Sequence, residues 1–175
     1  GPRFDYDPSS LVAQNLLTYS QEFDNAAWGK SLVSISANTD IAPDGTLTAD
    51  RFVSVGGSFP QISETPTLQA GDYTFSLWVR SDGTTQIAQA ILLDGTSQAF
   101  TPTSTWTRVI VTKTGVAAGS RGIVIATNSG AAAASSFYIW GAQLNRGSTV
   151  LPYTATTTAP YTLTTARGLL IEEQR

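Results

Sequence analysis

Tyr73-Thr74-Phe75-Ser76-Leu77-Trp78-Val79-Arg80 alternates apolar and polar side chains, with Trp78 standing where a polar residue would fall. Successive side chains of a β-strand point to opposite faces, so Phe75, Leu77 and Val79 form an apolar face. Thr74, Ser76, Trp78 and Arg80 form the other. A turn, Gln69-Ala70-Gly71-Asp72, leads into this strand, and Asp82-Gly83 turns the chain after it. Working outward, the same kind of segment recurs at residues 32–37, 49–55 and 59–63 before it. After it come residues 86–93, 106–112, 123–127 and 137–144. Pro43-Asp44-Gly45, Gly56-Gly57 and Asp94-Gly95 supply the turn chemistry between segments. Helical signals are nearly missing; residues 15–28 are rich in Asn, Ser, Thr and Tyr and have room for no more than a helical turn. Short strands at regular spacing predict an all-β fold, an antiparallel jelly-roll β-sandwich. The sandwich is expected over residues 15–151, with extended segments at 1–14 and 152–175.

The 175-residue chain suits one domain with a substantial core, and 41% hydrophobic residues favour folding over disorder. Charged residues make up only 13%, and Ser, Thr, Gly and Ala fill their place, a composition that reads as extracellular. The net charge is −3 and there is no basic run, so the electrostatic footprint of a nucleic-acid binder is absent. No apolar stretch approaches the about 18 residues of a membrane span. The chain contains no Cys, His or Met. This removes disulfides, the ordinary zinc ligands and every catalytic relay built on histidine. The missing Met reads as a piece excised from a longer protein, and Gly1-Pro2 fits either a protease scar or a native Gly-Pro-Arg-Phe-Asp-Tyr-Asp-Pro motif. The Thr-rich stretch at 152–166 has little periodicity and is expected to pack on a neighbour or stay loose. Leu169-Leu170-Ile171 reads as a strand that pairs with Arg3-Phe4-Asp5-Tyr6 or with another subunit.

An ordered set of short motifs covers most of the chain. Arg3 to Pro8, Asn15-Leu16-Leu17-Thr18-Tyr19-Ser20 and Phe23-Asp24-Asn25-Ala26-Ala27-Trp28 open it. Ala42-Pro43-Asp44-Gly45-Thr46, Tyr73-Thr74-Phe75-Ser76 and Trp106-Thr107-Arg108 follow. Tyr138-Ile139-Trp140-Gly141-Ala142-Gln143-Leu144 and Gly168-Leu169-Leu170-Ile171-Glu172-Glu173 close it. In this order they resemble a jelly-roll module of phage tail and head-fibre structural proteins, and more distantly the carbohydrate-binding modules. In such phage proteins the Gly-Leu-Leu-Ile-Glu-Glu piece often precedes Asn-Leu-Leu; its place at the end here suggests a unit cut from a repeat. The resemblance implies a virion-surface location, other virion proteins or further copies of the chain as partners, and glycan as ligand. It also implies a structural calcium, held in part by the acid after the first Phe and by an Asp of the last strand. Asp24 fills the first position; Trp140 stands at the second and offers no oxygen. No other cofactor is expected.

The two strands at 73–80 and 137–144 are expected to share a sheet, which would bring Trp78, Arg80, Tyr138 and Trp140 onto one outer face. Aromatic rings stack on the C–H faces of sugars, and planar donors and acceptors read their hydroxyls. Gln89 and Gln143 are the candidate amides. The competing reading covers Trp78 and Trp140 with a loop, the C-terminal segment or a neighbouring subunit. Trp28 and Trp106 are expected in the core. Tyr6, Tyr153 and Tyr161 are expected to anchor the termini or form a subunit contact. Asp44, Asp72, Asp82 and Asp94 all sit at Gly-containing turns, where Asp bonds its own backbone. A glycosidase needs two acids facing each other across a cleft. The one adjacent acid pair is Glu172-Glu173 in the terminal segment, so the chain reads as non-catalytic. Two functions remain: an adhesin-like glycan binder for host attachment, or a structural module that decorates the particle or joins fibre subunits.

Overall fold

The computed structural model describes residues 11–84, 89–127 and 135–164. The expected partners Arg3-Phe4-Asp5-Tyr6 and Leu169-Leu170-Ile171, and the acid pair Glu172-Glu173, lie outside these. In chain order the strands are β1 (Leu11–Asn15), β2 (Gly29–Ser31), β3 (Val33–Asp40), β4 (Ala49–Ser54) and β5 (Gln61–Glu64). Then come β6 (Thr67–Leu68), β7 (Gly71–Ser81), β8 (Gln89–Leu93), β9 (Thr96–Phe100) and β10 (Thr107–Val116). The last are β11 (Gly119–Ser120), β12 (Ile123–Thr127), β13 (Ser136–Arg146) and β14 (Tyr161–Thr164). Two five-stranded sheets, ordered β10-β7-β13-β4-β3 and β2-β5-β12-β8-β9, pack face to face; β1-β14 and β6-β11 form two short ribbons. This is the jelly-roll sandwich expected from the strand spacing.

The alternation in β7 sets the core. Phe75, Leu77 and Val79 point inward beside Phe137, Ile139 and Leu144 of β13, and meet Ile62, Ile91, Leu93, Ile123 and Ile125 of the other sheet. Phe137 stacks on Phe52 at 4.8 Å and takes the edge of Phe100 at 5.7 Å. The 16–28 segment plugs one end. Leu17, Phe23 and Trp28 are almost fully buried, and Trp28 tilts against Phe23 at 5.0 Å. Its indole donates to Tyr19 O (3.1 Å), so Trp28 is structural as expected.

Asn15 is the staple at the start of this segment. Its Nδ2 donates to Ala142 O and Thr154 O, both at 2.9 Å. Its Oδ1 accepts from the Leu17 and Leu144 amides at 3.2 Å. One side chain therefore ties the entry segment, β13 and the C-terminal segment together. Residues 152–164 accordingly lie on the sandwich itself. Thr156 is buried and bonded to Ser20 and Leu17, and β14 pairs with β1.

A bulge in β13 decides which side chains face out. The register against β7 shifts between Trp140 and Gln143, and Gly141 adopts φ 65° there. Strict alternation would send Ala142 outward. With the extra residue absorbed, Ala142 and Leu144 face the core and Gln143 joins Trp140 on the outer face.

Candidate functional site

β7 and β13 are neighbours, with Trp78 opposite Trp140 and Arg80 opposite Tyr138. The four side chains therefore converge on the outer face of their sheet. They lie in two rows. In the first, the Arg80 guanidinium sits 5.3 Å from the ring centres of both Trp106 and Tyr138 and pairs with Asp40. In the second, Arg108 of β10 lies opposite Trp78, its guanidinium 5.9 Å from the ring centre. Trp78 in turn lies opposite Trp140, which tilts against Tyr153 at 4.6 Å.

Two chain segments cover part of this face. The loop between β3 and β4 lays Ala42 beside Trp140, and Thr48 Oγ1 accepts from Trp140 Nε1 (3.0 Å). The segment after β13 lays Tyr153 over Trp140 and Gly141. The Tyr153 hydroxyl bonds Ser20 Oγ at 2.7 Å, and burial pushes its pKa up to about 12. Trp140 is left 3% exposed. It supports the face from beneath the cover and presents no ring to a ligand, which corrects the expectation of an open Trp140.

The two glutamines are corrected as well. Gln143 is fully buried as the clamp of the cover: Nε2 donates to Leu151 O (3.0 Å) and Pro152 O (3.1 Å), and Oε1 accepts from the Thr154 amide (2.7 Å). Asn145, two residues on, holds Thr149 O and the Leu151 amide in the same way. Gln89 belongs to the other sheet, points into the sandwich and donates to Ser135 Oγ (2.7 Å). Trp106 moves the opposite way. It was expected in the core, but it lies half-buried on the outer face, with Nε1 donating to Ile41 O (3.0 Å). The accessible part of the face is therefore Trp78, Arg80, Tyr138, Trp106 and Arg108, all half-buried, with Ile110 exposed beside them. Trp106 and Arg108 were legible only as a motif; their outward direction needs the β10–β7 register.

The carboxylates serve the framework. Asp50 is buried, and its oxygens accept from the Phe23 (2.8 Å) and Asn38 (2.9 Å) amides. Burial pushes its pKa up to about 6, against the pull of these backbone donors; the Asp24 carboxylate adds to the rise. Burial also raises Glu64, which accepts from the amide and hydroxyl of Thr18. At Asp82 burial is outweighed by hydrogen bonds from Ser136, Thr84 and Arg51, which hold the carboxyl below its ordinary range. Among the described residues no three acids gather, Asp24, where the resemblance puts the first calcium ligand, is exposed, and the Phe23 and Asn38 amides bond Asp50. Two hollows of about 250 and 150 Å³ lie away from the aromatic face, on either side of Arg146.

No protein-family model matches the chain, and no curated protein matches it in sequence. Solved structures do match in fold. A family 61 carbohydrate-binding module solved with β-1,4-galactotriose superposes with a TM-score of 0.58 at 19% identity, over 77% of this chain and 100% of that one. The xylan-binding family 22 module of Paenibacillus barcinonensis Xyn10C gives 0.55 at 12%, over 80% of this chain and 96% of that one. The enzymatically active domain of bacteriophage CBA120 tailspike protein 4 gives 0.55 at 9%, over 80% of this chain but only 22% of that one. The fold is thus the jelly-roll sandwich that these carbohydrate-binding modules share. At such identities the likeness is one of fold alone.

Proposed function

We propose that this chain is a non-catalytic glycan-binding module, and that the outer face of the β10-β7-β13-β4-β3 sheet holds the sugar. The observation that carries the reading is the double row of aromatic rings and guanidinium groups on that face. Trp78, Tyr138 and Trp106 offer apolar surface to a sugar ring, and Arg80 and Arg108 offer donors to its oxygens. The shared fold of the carbohydrate-binding modules supports the same reading. The covered Trp140, with Tyr153 and the clamp at Gln143, holds the face rigid, which lowers the entropy lost on binding. The parent is proposed to be a phage or phage-like virion protein, with the module at the particle surface and engaged in host attachment. The ordered motifs support that context. Weak single-site affinity would be multiplied by many copies.

Affinity electrophoresis through gels carrying neutral and acidic polysaccharides tests the reading. At least one polymer should retard the wild-type chain, and Trp78→Ala and Tyr138→Ala should run free while keeping a folded spectrum. Free migration of the wild type through every polymer would overturn it. A purely structural module is the second reading. The exposed apolar residues of the terminal β1-β14 ribbon favour it: Val12 (45%), Tyr161 (43%) and Leu163 (46%). A stable oligomer in light scattering, together with no retardation in any gel, is its signature.

A further inference from the structure

The cations of the outer face are not equally compensated. Arg80 is paired with Asp40, and Arg51 with Asp82 at 2.6 Å. Arg108 has no carboxylate within ion-pair range among the described residues. Its Nε and Nη2 donate to a single acceptor, Ser76 Oγ, at 3.2 and 3.0 Å. The remaining guanidinium donors have no partner in the described structure. Besides Asp40, which Arg80 takes, Asp44 lies close enough to act on Tyr153; it is exposed and spends Oδ1 on the amide and hydroxyl of Thr46. A second donor of the patch is also unspent: Trp78 Nε1 is enclosed and has no acceptor among the described residues.

A half-buried cation without a counter-charge pays for desolvation with no ion pair in return. Arg108 sits on β10, the edge strand of its sheet, so one flank is open. Trp78 lies across from it, and Ile110, on the same face two residues along, is 39% exposed. Apolar surface thus borders an unspent planar fork of donors, the geometry that a carboxylate fits with two parallel bonds. Among the described residues Arg146 is the other arginine without an acid in ion-pair range, but its hollow also holds Asp72 and its Nη2 is spent on Ala70 O (2.9 Å).

Resting on the glycan reading above, we infer that Arg108 recognises the carboxylate of an acidic sugar, and that the ligand class is a uronate-containing polysaccharide. The sugar ring packs on the apolar surface of Trp78 and Ile110 while its carboxylate meets the guanidinium.

Polygalacturonate and its methyl ester form a matched pair of probes, since esterification removes the charge and leaves the chain. Binding of both is measured by affinity electrophoresis and calorimetry for the wild type, Arg108→Gln and Ile110→Glu. The second variant places a carboxylate beside Arg108 at an exposed position and leaves the core untouched. The wild type should bind polygalacturonate at least about tenfold more tightly than the ester, and each variant should lose about that factor. Raising the salt concentration should weaken only the charged probe. Equal affinity for the two probes, or binding unchanged in Ile110→Glu, overturns the inference. If a neutral polysaccharide is still bound in a Trp78-dependent way, the glycan reading stands without it; if no polysaccharide is bound, both fall.

Discussion

Gly141 and Asp50 show how single residues set this molecule. Gly141 holds φ 65°, and a Cβ there would stand 3.2 Å from Trp78 Cδ1 and 3.3 Å from the Tyr153 ring. Gly141→Ala therefore combines a left-handed backbone with a crowded aromatic contact, and should cost about 1–3 kcal/mol in urea unfolding. Asp50 carries the pH dependence. Its folded pKa of about 6 lies above the reference value of 3.8, so the folded state binds the proton more tightly than the unfolded chain. The ionised carboxylate is the disfavoured form in the fold. Stability therefore rises as pH falls from 7 through 6, levels off near the unfolded value, and is lost again as pH rises. The gain is on the order of 2 kcal/mol. Glu64 is raised by burial too and adds in the same direction. Denaturation midpoints at pH 7 and pH 5 check this; Asp50→Asn should remove most of the difference. Equal slopes in the variant and the wild type would rule out Asp50 as the source.

At the scale of elements, the cover over β13 couples framework to face. Tyr153 packs on Trp140 and bonds Ser20, and Gln143 clamps the backbone that carries it. Tyr153→Ala should cost about 3 kcal/mol and open Trp140 to solvent, seen as stronger acrylamide quenching of tryptophan fluorescence. Gln143→Ala should raise the quenching too, since it frees the segment without removing a ring. Much of this layer was legible in the sequence. The alternation of 73–80 placed Trp78 and Arg80 outward, and the pairing of β7 with β13 followed from their shared pattern. What escaped was long-range. The bulge at Gly141 is visible only once a partner strand fixes the register; strict alternation would turn Gln143 inward. Trp106 lies just before β10 and has no alternation of its own to orient it. The segment around Tyr153 has no periodicity, because its order comes from side-chain clamps and not from a ladder. Short edge strands such as β2 and β9, with no apolar alternation, likewise gave no pattern to read.

For the whole molecule, the sandwich presents one outer face that is aromatic and cationic although the chain carries a net charge of −3. That contrast is what the proposal of a glycan-binding face with a preference for acidic sugars draws on. The four tryptophans provide internal reporters of it, because each indole N–H has a different environment. Trp28 donates to Tyr19 O in the core plug, Trp106 to Ile41 O, and Trp140 to Thr48 Oγ1; Trp78 has no acceptor among the described residues. The most direct test is a ¹⁵N–¹H correlation spectrum of the indole region during titration with a polysaccharide that retards the chain. The peaks are assigned from single Trp→Phe variants. The Trp78 and Trp106 signals should move progressively and saturate, while the Trp28 signal stays fixed. Saturable binding that leaves the Trp78 and Trp106 signals in place would contradict the assignment of this face as the glycan site.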